Sequence, residues 1–142
     1  ILVPVDESPI SYTAVEQALS LAKLLNCRVT VMCVVAVDPF VGVDFYKVAP
    51  AITYYFMQAE ENAQKRLADI KQSFIRDEVE VDTKVIRGVS AADGIIQIAD
   101  EVSADLIIMG SHGRTGFKKM MLGSVAQNVL TQSPIPVLIV KV

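Results

Sequence analysis

The chain has 142 residues, of which 52% are hydrophobic and 20% charged, and its formal net charge is −3. The length suits one domain with a buried core, and the composition predicts a folded α/β protein rather than a disordered chain. No apolar run reaches the roughly 18–20 residues of a membrane span, and the acidic charge disfavours a nucleic-acid partner, which needs a broad basic face.

The first half of the chain alternates apolar runs with helix-like periodicity. Residues 1–5 form a predicted buried strand, and Ser8 then caps a helix over residues 9–25 that begins with a proline and is expected to end at Asn26. β-Branched residues predict a second strand over residues 28–35. After a long connection, a second helix is expected over residues 51–74.

The second half continues the same alternation. Residues 79–86 alternate apolar and polar side chains, which predicts a strand with one exposed face at the edge of a sheet. An amphipathic helix is expected over residues 91–102 and a fourth strand over residues 105–109. A fourth helix over residues 122–131 and a fifth strand over residues 136–142 complete the chain.

The order of these elements predicts one domain with a parallel sheet and helices on both of its faces. In such sheets a ligand binds beyond the carboxyl ends of the strands, where the direction of winding reverses. With the strand order 3-2-1-4-5, this point lies between the first and fourth strands. Asp6 follows the first strand and Gly110 the fourth, so the two residues are expected to meet.

The most distinctive stretch of the chain follows the fourth strand. Gly110 and Gly113 are followed, after nine residues, by Gly123 and Ser124, in the spacing G-x2-G-x9-G-S. Glycines admit a close approach of the backbone to a ligand, and a helix N-terminus adds unpaired N–H groups. The pattern predicts a phosphate site, and it matches neither the Walker A loop nor the dinucleotide fingerprint.

A basic segment lies within this stretch. His112, Arg114, Lys118 and Lys119 fall within eight residues that contain no acid. In an acidic protein this cluster favours a small anionic ligand, and the alternative is a solvated basic loop. His112 could serve as a general base, but no nucleophile or orienting acid accompanies it, which favours loop packing or a phosphate contact.

The cysteines indicate a reducing environment. Cys27 and Cys33 lie at no metal-type spacing and the chain holds a single histidine, so no zinc site is expected. Cys33 falls in an apolar run, where a buried thiol acts as a small hydrophobe. This usage is typical of the cytoplasm, where we expect the protein to reside.

Three segments together resemble a known family. The stretch MGSHGRTG from Met109, with LGSV from Leu122, is similar to the nucleotide motif of the universal stress protein family, in its ATP-binding branch. The opening ILVPVDES and the closing SPIPVLIV resemble that family's first and last strands. The similarity covers residues 1–142 and implies a single universal stress protein domain with a flavodoxin-like, adenine nucleotide alpha hydrolase-like fold.

The resemblance also implies a site for ATP and Mg²⁺. Pro4 and Val5 would line the nucleotide pocket, and Val34 would contact adenine. Asp6 would approach the ribose or a magnesium-bound triphosphate, and it could also cap the first helix. The residues implied near the ribose and the phosphates are Met109, Gly110, His112, Gly113, Arg114, Gly123, Ser124 and Val125.

The last strand and the aromatic residues are candidate contact surfaces. Residues 137–142 are almost wholly apolar at a sheet edge, which predicts a homodimer through antiparallel pairing, as the resemblance also implies. Six aromatic residues cluster in the connection after the second strand and could form a packed patch, a lid or a subunit contact. They are Phe40, Phe45, Tyr46, Tyr54, Tyr55 and Phe56.

The expected function is that of a dimeric, ATP-binding sensor or regulator of the stress response. A dedicated enzyme is not expected, because phosphoryl transfer needs a group that positions the nucleophile and none stands out. The alternatives are a slow ATPase that uses Asp6, a module that binds AMP or a cyclic nucleotide, and a structural dimer with an empty pocket.

Overall fold

Strands and helices alternate along the chain as the sequence predicts. The computed structural model describes residues 1–36, 50–113 and 121–141, and of residues 50–53 only the main chain. The strands are β1 (Leu2–Pro4), β2 (Val29–Val35), β3 (Val81–Arg87), β4 (Ile107–Gly110) and β5 (Val137–Val140). The helices are α1 (Pro9–Leu25), α2 (Pro50–Arg76), α3 (Ala91–Glu101) and α4 (Ser124–Gln132).

The five strands form one parallel sheet in the order β3-β2-β1-β4-β5, which confirms the predicted topology. β1 runs between β2 and β4, with Leu2 opposite both Thr30 and Ile107. The sheet is therefore wound outward from β1 in both directions, first through β2 to β3 and then through β4 to β5.

Two hydrophobic cores lie on opposite faces of the sheet. On one face, alternate strand residues such as Val3 and Val31 pack against small residues of α1 and against α2, where Phe74 is fully buried. On the other face, Leu2 and Met32 pack against α3 and α4. Neighbouring residues of one strand thus belong to different cores, as expected for a strand that is covered on both faces.

Several element boundaries differ by a few residues from the predicted ones. α2 continues to Arg76, and β4 includes Gly110. α4 begins at Ser124 instead of residue 122, because Gly123 has extended backbone angles and acts as the N-cap. The predicted end of α1 is confirmed by Asn26, whose left-handed conformation (φ 52°) terminates the helix.

The two edges of the sheet differ in character. In β3 the residues alternate between half-buried and exposed, and the exposed positions include Asp82 and Lys84. Arg87, at the end of β3, forms an ion pair with Glu60 of α2, which holds the pKa of that carboxyl below its usual range. β5 carries the exposed Leu138 and, in the residues described, no charge.

None of the helices within residues 1–36, 50–113 and 121–141 combines the length and apolar character that crossing a membrane requires. Of the aromatic residues, Tyr54 and Tyr55 are more than half exposed, and Tyr55 meets the ring of Phe56 edge to face. Phe40, Phe45 and Tyr46 lie outside the described residues.

Candidate functional site

A cavity of about 560 Å³ opens at the carboxyl ends of the strands, at the point where the winding reverses. Its size falls within the roughly 300–1,000 Å³ typical of small-molecule sites. Eleven of the twelve predicted site residues line it, and the twelfth, Arg114, lies outside the described residues. The eleven are Pro4, Val5, Asp6, Val34, Met109, Gly110, His112, Gly113, Gly123, Ser124 and Val125.

Asp6 is held by the start of α1. Its Oδ1 accepts hydrogen bonds from the Ser8 N–H (2.8 Å), from the Ser8 hydroxyl and from the Ser11 hydroxyl (2.9 Å). The bond to the Ser8 N–H forms a turn ahead of the helix and is not the expected cap, because Ser8 is the N-cap and α1 has no side-chain cap hydrogen bond. All three bonds end on Oδ1. The other oxygen, Oδ2, lies 2.8 Å from where a Cβ on Gly113 would stand.

The glycines of the motif permit close packing, and their backbones are not left-handed. Among the described glycines only Gly88 has a positive φ. A Cβ on Gly110 would stand 2.7 Å from Ile10 Cγ2, and one on Gly123 would stand 3.1 Å from His112 Cα. The absent side chains thus let the end of β4 pack against α1. They also let the start of α4 pack against the loop after β4, at His112.

The first turn of α4 presents main-chain N–H groups to the cavity. Gly123 donates to the Ser111 carbonyl (2.7 Å), and Gln127 makes the first bond within the helix, to the Gly123 carbonyl. The N–H groups of Ser124, Val125 and Ala126 lie in the first turn, so no earlier carbonyl of the helix can accept from them. Gly123, the N-cap, has no side chain that could accept in its place. All three residues line the cavity, so these N–H groups are available to an anion there.

The opposite side of the cavity is apolar. Val34 of β2 and Ala91 and Ile95 of α3 line it. α3 packs closely there, because a Cβ on Gly94 would stand 2.9 Å from Val34 Cγ2. The polar side chains of the cavity thus lie after β1 and β4 and at the starts of α1 and α4, whereas β2 and α3 contribute apolar ones only.

Val34 also offers main-chain groups to the cavity. β1 pairs with β2 only as far as Pro4 and Met32, and the Val5 N–H then donates to the Met32 carbonyl (2.8 Å). Every second residue of a strand turns its N–H and C=O toward the same neighbour. Val34 is therefore the next residue of β2 whose N–H and C=O point toward the β1 side. Because β1 ends before this point, these two groups have no strand partner there.

His112 is the only described lining residue besides Asp6 with a titratable side chain. Its Nδ1 lies 3.1 Å from the hydroxyl of Ser111, which is buried. The Ser111 N–H donates to the Val140 carbonyl of β5 (2.9 Å), so the loop is tied to the sheet. These contacts place His112 in a loop held against the sheet, and its expected role in loop packing or in a phosphate contact stays a prediction.

Cys33 lies next to Val34 in the chain but belongs to the other face of the sheet. Burial raises the pKa of its thiol, and the side chain of Arg66 only partly opposes this shift. A thiol with a raised pKa stays protonated at neutral pH, so Cys33 acts as a small hydrophobe, as predicted.

Sequence reasoning missed six residues that line the cavity. They are Ser11, Ala91, Ile95, Met121, Leu122 and Ala126. Most are apolar residues that a helix pattern assigns to the core, and nothing in the sequence marks them. Ser11 is different, because a further hydroxyl shortly after Asp6 and Ser8 at a helix start is a signal for a hydrogen-bonded turn.

Comparisons with known proteins agree with this fold. Residues 1–141 match the family model of the Universal stress protein family. Universal stress protein MJ0531 of Methanocaldococcus jannaschii is 35% identical over 144 residues, which cover 99% of this chain and 81% of that protein.

Solved structures show the same architecture. The structure of hypothetical protein MJ0577 superposes with a TM-score of 0.81 at 28% identity, over 99% of this chain and 94% of the other. A universal stress protein in complex with cAMP superposes with a TM-score of 0.72 at 25% identity, over 98% and 94% of the two chains.

Replacement of Gly110 by alanine should destabilise the fold. The new Cβ would collide with Ile10, which is 2% exposed and cannot move aside without disturbing the α1 packing. We expect Gly110→Ala to lower the free energy of unfolding, measured by urea denaturation, by about 1–3 kcal/mol. Ser124→Ala, at an exposed position of the same cavity, should change it by about 0.5 kcal/mol or less. Equal stability of Gly110→Ala and the wild type would contradict the packing argument.

Proposed function

The chain belongs to the universal stress protein family, and on this basis we propose that its cavity binds ATP with Mg²⁺. The protein then acts as a nucleotide-dependent sensor or regulator of the stress response in the cytoplasm. The observation that carries the proposal is the division of one cavity into an apolar side and a side lined by uncapped helix N–H groups.

The polar side suits the phosphates. Three N–H groups at the start of α4 and the positive end of its dipole favour a negatively charged group there. Gly113 and Gly123 line the cavity beside these donors, and their lack of side chains lets Asp6 and the loop after β4 pack close to them. Arg114 would add a positive charge, and this role stays a prediction because the residue lies outside those described.

The apolar side suits a base, and the main chain of Val34 favours adenine. A purine ring can pack against Val34 and Ile95. The Val34 N–H can donate to N1 of adenine, and its C=O can accept from the N6 amino group. Guanine carries a donor at N1 and an acceptor at O6, so both contacts would become repulsive.

Magnesium fits the cavity only together with the nucleotide. Within residues 1–36, 50–113 and 121–141, no three His, Cys, Asp or Glu side chains cluster as metal ligands do. Magnesium in nucleotide sites is commonly held by one or two carboxylates and by phosphate oxygens. Oδ2 of Asp6 accepts no hydrogen bond from the described residues and lies beside Gly113, so it can supply the carboxylate.

Gly123→Val tests the phosphate site. The extended angles of Gly123 (φ −67°, ψ 162°) are accessible to valine, so the sheet and helices should persist. Its Cβ would stand 3.1 Å from His112 Cα, so the loop after β4 must shift away from the N–H groups of α4. We expect the affinity for ATP, measured by calorimetry, to fall by about 100-fold, since each lost hydrogen bond to a charged group costs about 1.5–3 kcal/mol.

Two controls accompany this variant. Asn128→Val places the same side chain on an exposed position of α4 and should leave ATP binding unchanged. GTP should bind the wild type about tenfold more weakly than ATP or worse, because its base leaves the Val34 groups unpaired. Unchanged ATP affinity in Gly123→Val would refute the assigned phosphate site.

We propose that the protein holds its nucleotide without dedicated catalysis. Asp6 and His112 are the titratable ones among those described, and one oxygen of Asp6 is occupied by serines. Phosphoryl transfer requires a group that positions the attacking nucleophile. We expect ATP hydrolysis by the purified protein at a kcat well below about 1 s⁻¹, the low end for ordinary enzymes. Turnover at or above that rate would overturn the sensor proposal in favour of an ATPase.

A cyclic nucleotide is the second candidate ligand. It is favoured by the solved universal stress protein in complex with cAMP, which shares 25% of its residues with this chain. The same apolar side would take its adenine ring, while one phosphate would use only part of the row of N–H groups. Competition between ATP and cAMP in the binding assay separates the two ligands.

The edge strand β5 supports the proposed homodimer. Its outer main-chain groups face away from β4, its only partner in the described sheet, and Leu138 and Leu130 of the adjacent α4 are exposed. The other edge, β3, carries exposed charges that discourage pairing. Antiparallel pairing of two β5 strands would satisfy these groups and cover both leucines. Val142, part of the predicted contact, lies outside the described residues.

Leu138→Asp tests this dimer. A carboxylate at the centre of the paired strands would be repelled by its symmetry mate, so we expect analytical ultracentrifugation to find two chains for the wild type and one for the variant. Lys84→Asp makes a comparable change on the β3 edge and should leave the dimer intact. A monomeric wild type, or a dimeric Leu138→Asp, would disprove the β5 contact.

A further inference from the structure

Ser11 is a buried polar residue in the first turn of α1, and it lines the cavity beside Asp6. We infer that Ser11 is a positioning residue, which holds Asp6 so that its Oδ2 faces the phosphates and binds the magnesium ion that accompanies them. The inference rests on the proposed binding of ATP with Mg²⁺. It assigns to Ser11 a role in metal affinity that is separate from its place in the helix.

The hydroxyl of Ser11 binds Asp6 at two points. Its oxygen accepts from the Asp6 N–H at 2.9 Å, and its proton is donated to Asp6 Oδ1, also at 2.9 Å. One side chain therefore fixes both the main chain and the carboxylate of Asp6. A contact to the carboxylate alone would leave the residue free to shift as a whole.

The direction of these bonds determines which oxygen remains available. The N–H and hydroxyl of Ser8 also donate to Oδ1, so three donors converge on one oxygen. Oδ2 accepts from none of them and lies 2.8 Å from the position of a Cβ on Gly113. A carboxylate ordered before the ligand arrives avoids the entropy cost of ordering on binding.

Burial strengthens the arrangement. Ser8 and Ser11 are 7% and 6% exposed, so water competes little for their hydroxyl groups. Glycine at position 113 keeps the space in front of Oδ2 open, since any larger residue there would push the carboxylate back. These contacts predict that loss of the Ser11 hydroxyl weakens the contribution of the metal ion and spares the contacts of the base.

The experiment measures ATP affinity of the full chain by calorimetry, once with saturating Mg²⁺ and once with EDTA. The ratio of the two dissociation constants is the magnesium enhancement. We expect Ser11→Ala to lower this enhancement by about tenfold, as loss of a partner behind a metal ligand commonly does. Its dissociation constant in EDTA should change by about twofold or less, within the scatter of independent sites.

Further variants separate positioning from folding. Ser11→Cys keeps the size of the side chain but has only a weak donor, and it should lower the enhancement as Ser11→Ala does. Ser20→Ala removes an exposed hydroxyl from the same helix and should have no effect. In an Asp6→Asn background, which lacks the metal-binding oxygen, Ser11→Ala should produce no further loss of enhancement.

Each of the remaining outcomes would overturn one specific claim about Ser11, Asp6 or the nucleotide. If Mg²⁺ enhances ATP binding by the wild type and the Ser11 variants keep the same enhancement, the inference is wrong and the proposed function stands. If Ser11→Ala weakens binding equally with Mg²⁺ and with EDTA, Ser11 has a structural role only. If the wild type binds ATP without enhancement, the metal role of Asp6 and of Ser11 is wrong. If it binds no ATP, the proposed function fails as well.

Discussion

The reversal of winding at β1 is the constraint on which the rest of the structure depends. β1 lies between β2 and β4, and the helices that follow β1 and β4 cover opposite faces of the sheet. Their first turns therefore diverge, and a cavity opens between them that the side chains of the described residues leave unfilled. Asp6 and Gly113, more than a hundred residues apart in the chain, pack against each other at its edge.

The main chain supplies much of the chemistry of this cavity. The donors at the start of α4 are N–H groups, and the groups opposite them belong to the main chain of Val34. Main-chain groups cannot be repositioned by rotamer changes, so they present a fixed pattern to a ligand. The glycines make this possible by close packing, since side chains at positions 110, 113 or 123 would collide with Ile10, Asp6 or the loop.

Much of the architecture was predictable because its signals are local. Alternating apolar runs and helical periodicity located the elements, and Asn26 marked a helix end correctly. The start of α4 was less accessible, because only the angles of Gly123 exclude residues 122 and 123 from the helix. The spacing of the glycines indicated the cavity. The packing role of Gly110 and Gly113 was not predictable, because it depends on Ile10 and Asp6, which are distant in sequence. The double contact of Ser11 likewise exists only after α1 has formed.

The most direct measurement identifies the nucleotide that the cavity selects. The purified protein would be incubated with equal concentrations of ATP, AMP, cyclic AMP and GTP in the presence of Mg²⁺, separated from free nucleotide and denatured. Chromatography of the released nucleotide then shows what was bound. A cavity with an apolar side, a row of helix N–H groups and one oriented carboxylate predicts that ATP predominates. Release of cyclic AMP or GTP in its place, or of no nucleotide, would contradict the proposed function.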